Sequence, residues 1–198
     1  GMTGSGKTEV LEYLESMGVQ NIHLERIARH RGSVFGSIGM PSQPTTEQFE
    51  NDLSARLMEL DPSKPVYIED ESITIGRVFI PKPFFEKILS SPMVNLCVPF
   101  ERRVLQLLNA YTQGERQLLV DGVKRIERRL GLENASRVVE HIVQGNITAA
   151  VEIVLKYYDR MYARTMEMHR RKTVEDVKIE QESVREIAER IISISNEQ

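Results

Sequence analysis

The chain begins with a phosphate-binding loop. Gly1-Met2-Thr3-Gly4-Ser5-Gly6-Lys7-Thr8 is a full G-x-x-x-x-G-K-[ST] match. In such a loop the backbone N–H groups and the lysine form a cationic cradle for phosphate oxygens. Gly4 and Gly6 let the backbone approach the phosphate without a Cβ in the way. The expected phosphate- or nucleotide-binding set is therefore Gly1, Gly4, Ser5, Gly6, Lys7, Thr8 and Glu9. Lys7 is expected to reach the outer phosphate and act in catalysis, and the Thr8 hydroxyl to ligate Mg²⁺. A helical pattern with Leu11 and Leu14 follows over residues 8–17. A phosphate loop joins a buried strand to a helix. No strand pattern precedes Gly1, so the polypeptide is expected to extend upstream with a central strand.

Downstream, short apolar runs alternate with helical patterns. Residues 19–24, 66–68, 93–98 and 174–179 read as strands. Residues 26–39 read as a polar, glycine-bearing loop. Thr46 is expected to cap a helix to about Leu60, with Phe49, Leu53, Leu57 and Leu60 on one face. Pro81 and Pro83 start a short helix ending near Ser90, residues 100–171 are helical with breaks at Gly114, Gly131 and Gly145, and residues 183–192 form a last amphipathic helix. The alternation predicts an α/β fold of the kinase-like P-loop NTPase type. One domain spans residues 1–198, with residues 1–100 and 173–198 forming a parallel sheet flanked by helices. A helical subdomain, residues 101–172, is inserted before the last strand.

The C-terminal ends of strands in an open α/β sheet are where ligands bind. Glu69-Asp70-Glu71 follows one strand and offers carboxylates for Mg²⁺ or for a proton. Side-chain alternation lets only some of them face the site, and Asp70 and Glu69 are the favoured metal ligands beside Thr8, with Asp70 also catalytic. Arg29 and Arg31 flank His30 after another strand and can grip a phosphate-like anion. Arg102 and Arg103 follow the strand at residues 93–98, and one of them can reach the phosphate site. Cys97 reads as a packed core residue.

The formal net charge of -3 hides a polarity. Residues 101–172 hold 14 Lys and Arg against 9 Asp and Glu, and the rest holds 12 against 20. Such a basic section suits either solvated helix faces or a surface for a polyanion such as RNA. Arg125, Arg128, Arg129, Tyr158, Arg160, Tyr162 and Arg164 are the candidate RNA contacts, because arginines interleaved with aromatics can grip and stack bases. The single cysteine excludes an intrachain disulfide, no apolar run is long enough to span a bilayer, and a cytoplasmic setting without membrane contact is expected.

The first hundred residues resemble the C-terminal P-loop domain of the tRNA 2-selenouridine synthase family. The likeness rests on the phosphate loop with Glu9, on Leu24-Glu25, on Ala28-Arg29-His30-Arg31-Gly32-Ser33 with Phe35-Gly36, on Phe49-Glu50-Asn51, and on Glu69-Asp70-Glu71-Ser72 with Ile75-Gly76 and Pro81. Tyr158-Asp159 and Tyr162 echo it later in the chain. The resemblance implies action on the wobble 2-thiouridine of tRNA. Sulfur is geranylated from geranyl diphosphate and then exchanged for selenium from selenophosphate. It also implies a rhodanese domain with an essential cysteine, upstream or on a separate chain, since none lies within these residues. The loop would hold ATP, GTP or geranyl diphosphate. A small-molecule or nucleotide kinase, and a nucleotide-sensing RNA-binding module without catalysis, stay open as alternatives.

Overall fold

The computed structural model describes residues 1–111, 116–169 and 173–196. Gly6, at φ 80°, turns the phosphate loop into helix α1 (Lys7–Ser16), which buries Val10, Leu11 and Leu14. Val10, Leu11 and Leu14 pack with Leu96, Val177, Ile179 and the Ile187, Ala188, Ile191 and Ile194 face of the last helix, α9 (Val184–Asn196). Gly18, also left-handed, ends α1.

Strand β1 (Asn21–Ile22) runs parallel to β2 (Tyr67–Ile68). Between them lie α2 (Leu24–Ala28) and α3 (Thr46–Met58). The segment expected as loop from residue 26 thus begins as a short helix, ended by Arg29 in the left-handed region at φ 51°. Thr45, not Thr46, caps α3, accepting the Gln48 N–H at 3.1 Å. An antiparallel hairpin of β3 (Thr74–Ile75) and β4 (Val78–Phe79) then turns through Gly76 at φ 60°. Each strand of the hairpin offers a single buried residue, Ile75 or Val78, so no apolar run in the sequence reveals it. The Gln43 side chain pins this hairpin: its amide donates to the carbonyls of Ala28 and Ile75, and its oxygen accepts the Arg77 N–H, all at 3.0 Å. Helix α4 (Lys82–Ser90) follows, with Pro at its start.

Strand β5 (Met93–Cys97) pairs parallel with β6 (Thr173–Lys178). The four expected strands are all present and both pairs are parallel. They form two separate two-stranded sheets, however, and not one continuous sheet. Leu96 points into the core and Cys97 points out, so the cysteine is exposed, contrary to expectation. Partial burial, then the Asp176 carboxylate beside it, push its thiol up.

Helices α5 (Phe100–Tyr111), α6 (Arg116–Leu130), α7 (Leu132–Val143) and α8 (Ile147–His169) are inserted between β5 and β6. Gly131 and Gly145 stand at the breaks, both at positive φ, while the break expected at Gly114 lies outside the described residues. The insertion has its own core of Leu119, Val123, Ile126, Val138, Ile142 and Val154. Phe35 and Ile38, from the loop after α2, are buried in that same core. Gly122 makes room for Phe35, whose ring lies 2.8 Å from where a Cβ would stand. The loop after the second helix is therefore held by the inserted helices as much as by the α/β unit.

Candidate phosphate-binding site

The loop is shaped by glycine and wedged against α5. Gly4 at φ 75° and Gly6 at φ 80° occupy the left-handed region. A Cβ on Gly4 would lie 3.0 Å from the Arg103 carbonyl, so the loop rests directly on α5. Lys7 Nζ donates to the carbonyls of Gly1 and Met2, at 3.1 and 3.4 Å. The Ser5 hydroxyl is buried with no hydrogen-bond partner among the described residues. Glu9, exposed on α1, accepts the Gln106 amide at 2.8 Å and ties α1 to α5.

Arg103 is almost fully buried and joins three elements. Its Nη1 and Nη2 meet Asp159 Oδ1 and Oδ2 at 2.7 and 2.8 Å, and Nη1 also reaches the Thr3 carbonyl at 3.3 Å. The neighbouring Arg102 instead donates to the carbonyls of Glu180 and Glu182, both at 2.9 Å. Of the pair, Arg103 touches the phosphate loop, its guanidinium reaching the Thr3 carbonyl.

Carboxylates crowd the floor of the site, and they are not all those expected. Glu69 is buried and off the cleft wall; its Oε2 accepts the Glu25 N–H at 3.3 Å at the start of α2. Expected as a metal ligand, Glu69 lies instead at the start of α2, outside the cleft lining. The Glu71 N–H bonds back to the Glu69 carbonyl at 3.1 Å. That tight turn breaks the strand-like alternation, so both Asp70 and Glu71 line the cleft. Glu25, which sequence reasoning missed, accepts the Thr8 hydroxyl at 3.4 Å. Glu25 and Glu71 converge over Gly32, where a Cβ would meet their oxygens at 2.9 and 2.8 Å. Burial first, then the neighbouring Glu71 and Glu69, push Glu25 up to about 8. Burial and then Glu71 push Glu69 up to about 7, and burial raises Glu71 as well. Glu25 joins the Glu69–Glu71 run from 44 residues away from Glu69, so no local pattern announces its part in the crowding.

No group of three or more His, Cys, Asp and Glu residues placed to hold a metal occurs among the described residues. Mg²⁺ beside phosphates requires less, one or two carboxylates with waters and phosphate oxygens. The Thr8 hydroxyl with the Glu25 carboxylate is such a hard-oxygen donor set.

The loop opens into a cleft of about 1510 Å³ between the α/β unit and the inserted helices. Arg31 lines it, whereas Arg29 does not and reaches the Ser42 carbonyl at 3.4 Å. His30 also lines it, is buried against Gly36, and is held below its usual range by burial and by Arg125. Arg125, Arg129, Tyr158 and Tyr162 face the cleft; Arg128, Arg160 and Arg164 are exposed outside it. The Tyr158 hydroxyl accepts the Val34 N–H at 2.5 Å, fastening the loop of Arg31 and Phe35 to α8.

The family model for the tRNA 2-selenouridine synthase AAA domain matches residues 1–193. The chain belongs to this family. A tRNA 2-selenouridine synthase of Nitrosomonas eutropha is 31% identical over 84% of the chain and 55% of its own length. Those of Aeromonas salmonicida and Shewanella piezotolerans are 31% and 33% identical, each over 82% of the chain and 51% and 52% of their own lengths. The chain therefore spans about half the length of the curated relatives it matches. No solved structure matches it. Family membership makes this a P-loop AAA-type domain, in keeping with the phosphate loop and the short parallel strand pairs. No helix among the described residues is long and apolar enough to cross a membrane.

Proposed function

We propose that the domain is the phosphate-binding part of an enzyme that converts wobble 2-thiouridine in tRNA to 2-selenouridine through a geranylated thiouridine. One observation carries this reading: the phosphate loop and the arginine- and tyrosine-bearing faces of α6 and α8 line the same cleft. The diphosphate of geranyl diphosphate binds the loop amides and Lys7. The tRNA sulfur attacks the allylic carbon, the S–C bond forms, and the C–O electron pair leaves with the diphosphate. Charge on that leaving group is the barrier, and Lys7 with the loop N–H groups lowers it. Thr8 with Glu25 or Asp70 would hold Mg²⁺, which supplies further charge neutralisation. Arg31 binds the departing diphosphate or selenophosphate, the selenium donor. A rhodanese domain, on the same polypeptide or a separate chain, completes the exchange in a cytoplasmic setting.

The test is Lys7→Ala in the complete enzyme, with geranylated tRNA measured by mass spectrometry. Product at background level with tRNA binding retained supports the reading. Undiminished geranylation sinks it, and steady phosphoryl transfer from ATP or GTP to a small molecule would make the domain a kinase.

A further inference from the structure

The far half of the cleft is built differently from the phosphate end. Around the loop the wall is acidic, with Glu25, Asp70 and Glu71. The inserted helices add a cationic and aromatic wall, drawn from two helices at regular spacing. Arg125 and Arg129 are four apart on α6, and Tyr158 and Tyr162 are four apart on α8, so each pair stands on one helix face. Thr165 and Met166 continue the α8 face along the same wall. The Tyr158 hydroxyl is held by the Val34 N–H, which fixes the orientation of its ring. A volume of about 1510 Å³ exceeds the ~300–1,000 Å³ of a pocket for one small molecule. The cleft has room for a diphosphate at the loop and a second group opposite.

Arginines beside aromatic faces along one cleft wall fit a nucleotide that has left its stack. A base offers a π-face to the tyrosines, and its flanking phosphates suit the arginines. Enzymes that work on a base within a strand turn it out. We propose that this half of the cleft seats one nucleotide turned out of an RNA strand, its base against the Tyr158–Tyr162 face of α8 and its flanking phosphates on Arg125 and Arg129. This rests on the tRNA-modifying reading and places the reacting base between α8 and the phosphate loop. It places RNA recognition on the cleft wall, at Arg125 and Arg129 with Tyr158 and Tyr162.

The experiment uses the complete enzyme and an anticodon stem-loop RNA carrying 4-thiouridine at the reacting position, or in the stem as a control. After near-ultraviolet irradiation the crosslinked peptides are mapped. Crosslinks from the reacting position are expected within α8, between Tyr157 and Met166, and not from the stem position. A double Arg125→Ala, Arg129→Ala variant, altered only at exposed positions, is expected to weaken RNA binding at least about tenfold and to make the log–log salt slope shallower by about 1.4, the value for two single-strand phosphates. The exposed Arg137→Ala on α7 lies off the cleft and should change neither. RNA that binds but crosslinks outside the cleft, while the matching 2-thiouridine RNA is still geranylated, overturns the proposal and leaves the function intact. An equal loss from Arg137→Ala also overturns it, because general attraction then suffices. Failure of the enzyme to bind RNA even at low salt would instead remove the functional reading itself.

Discussion

Arg103 and Asp159 form a two-pronged ion pair at 2.7 and 2.8 Å that locks α8 to α5 directly behind the phosphate loop. The guanidinium is 5% exposed and the carboxylate 24%, so water screens the pair only from one side. Removing one partner strands the other, which costs ~3–5 kcal/mol for a fully buried pair. Arg103→Ala should therefore cost about 3 kcal/mol, the lower end, because Asp159 keeps some solvent. Arg103→Lys keeps the charge but loses the fork and should fall between the two. Urea unfolding of the three proteins checks this order; an Arg103→Ala protein as stable as its parent would refute it.

Gly4→Ala tests the fit of loop to helix. The substitution places a Cβ 3.0 Å from the Arg103 carbonyl at a φ of +75°. Both effects strain the backbone, and a residue held in that region costs ~1–3 kcal/mol. The expected result is a destabilised protein with strongly reduced diphosphate binding by calorimetry. Gly18→Ala is the control, having the same sign of φ, +76°, but open space around it, and should lose stability without losing the ligand.

Lys7→Ala should weaken diphosphate binding by about 10–100-fold, the ~1.5–3 kcal/mol of a charge-assisted hydrogen bond. Its amino group sits over the Gly1 and Met2 carbonyls, close to the loop it serves, and the helix does not depend on it. Thermal unfolding should change little, which separates a binding defect from a folding defect.

The crowded carboxylates give a pH dependence of known sign. Glu25, pushed up to about 8, and Glu69, pushed up to about 7, keep their protons longer in the folded state than in the unfolded chain. Between the unfolded glutamate value of ~4.3 and those folded values, the native state binds more protons, so stability falls as pH rises. Glu25→Gln removes one of these groups. Its midpoint should exceed that of the parent near pH 8 by a few degrees, on a scale of roughly 2–4 °C per kcal/mol, and approach it near pH 5. A parent that grows more stable between those pH values would contradict the burial of these groups.

Tyr158→Phe removes the acceptor for the Val34 N–H while keeping the ring. About 1 kcal/mol is at stake for an ordinary hydrogen bond, more if the amide stays unsatisfied. Hydrogen exchange should show faster opening of the Arg31–Phe35 stretch with the core helices unchanged.

The phosphate loop, strands β1, β2, β5 and β6 and the longer helices follow from the sequence, because each is written locally, whereas α2 and the β3–β4 hairpin do not. Glycine spacing sets the loop, apolar periodicity sets the helices, and Gly131 and Gly145 mark where two of them end. What tertiary structure decided is which side chains meet. Glu69 meets the start of α2 from 44 residues away, and Glu25 takes the place beside Thr8 across 17 residues. Of two adjacent arginines, Arg103 went to Asp159 and Arg102 to carbonyls after β6, and of Arg29 and Arg31 only Arg31 reached the cleft. The turn at Glu69–Glu71 and the left-handed Arg29 redirect neighbouring side chains by more than any periodic rule allows. Local pattern fixes where a backbone turns and which face is apolar; the direction of a polar side chain is set by partners distant in the chain.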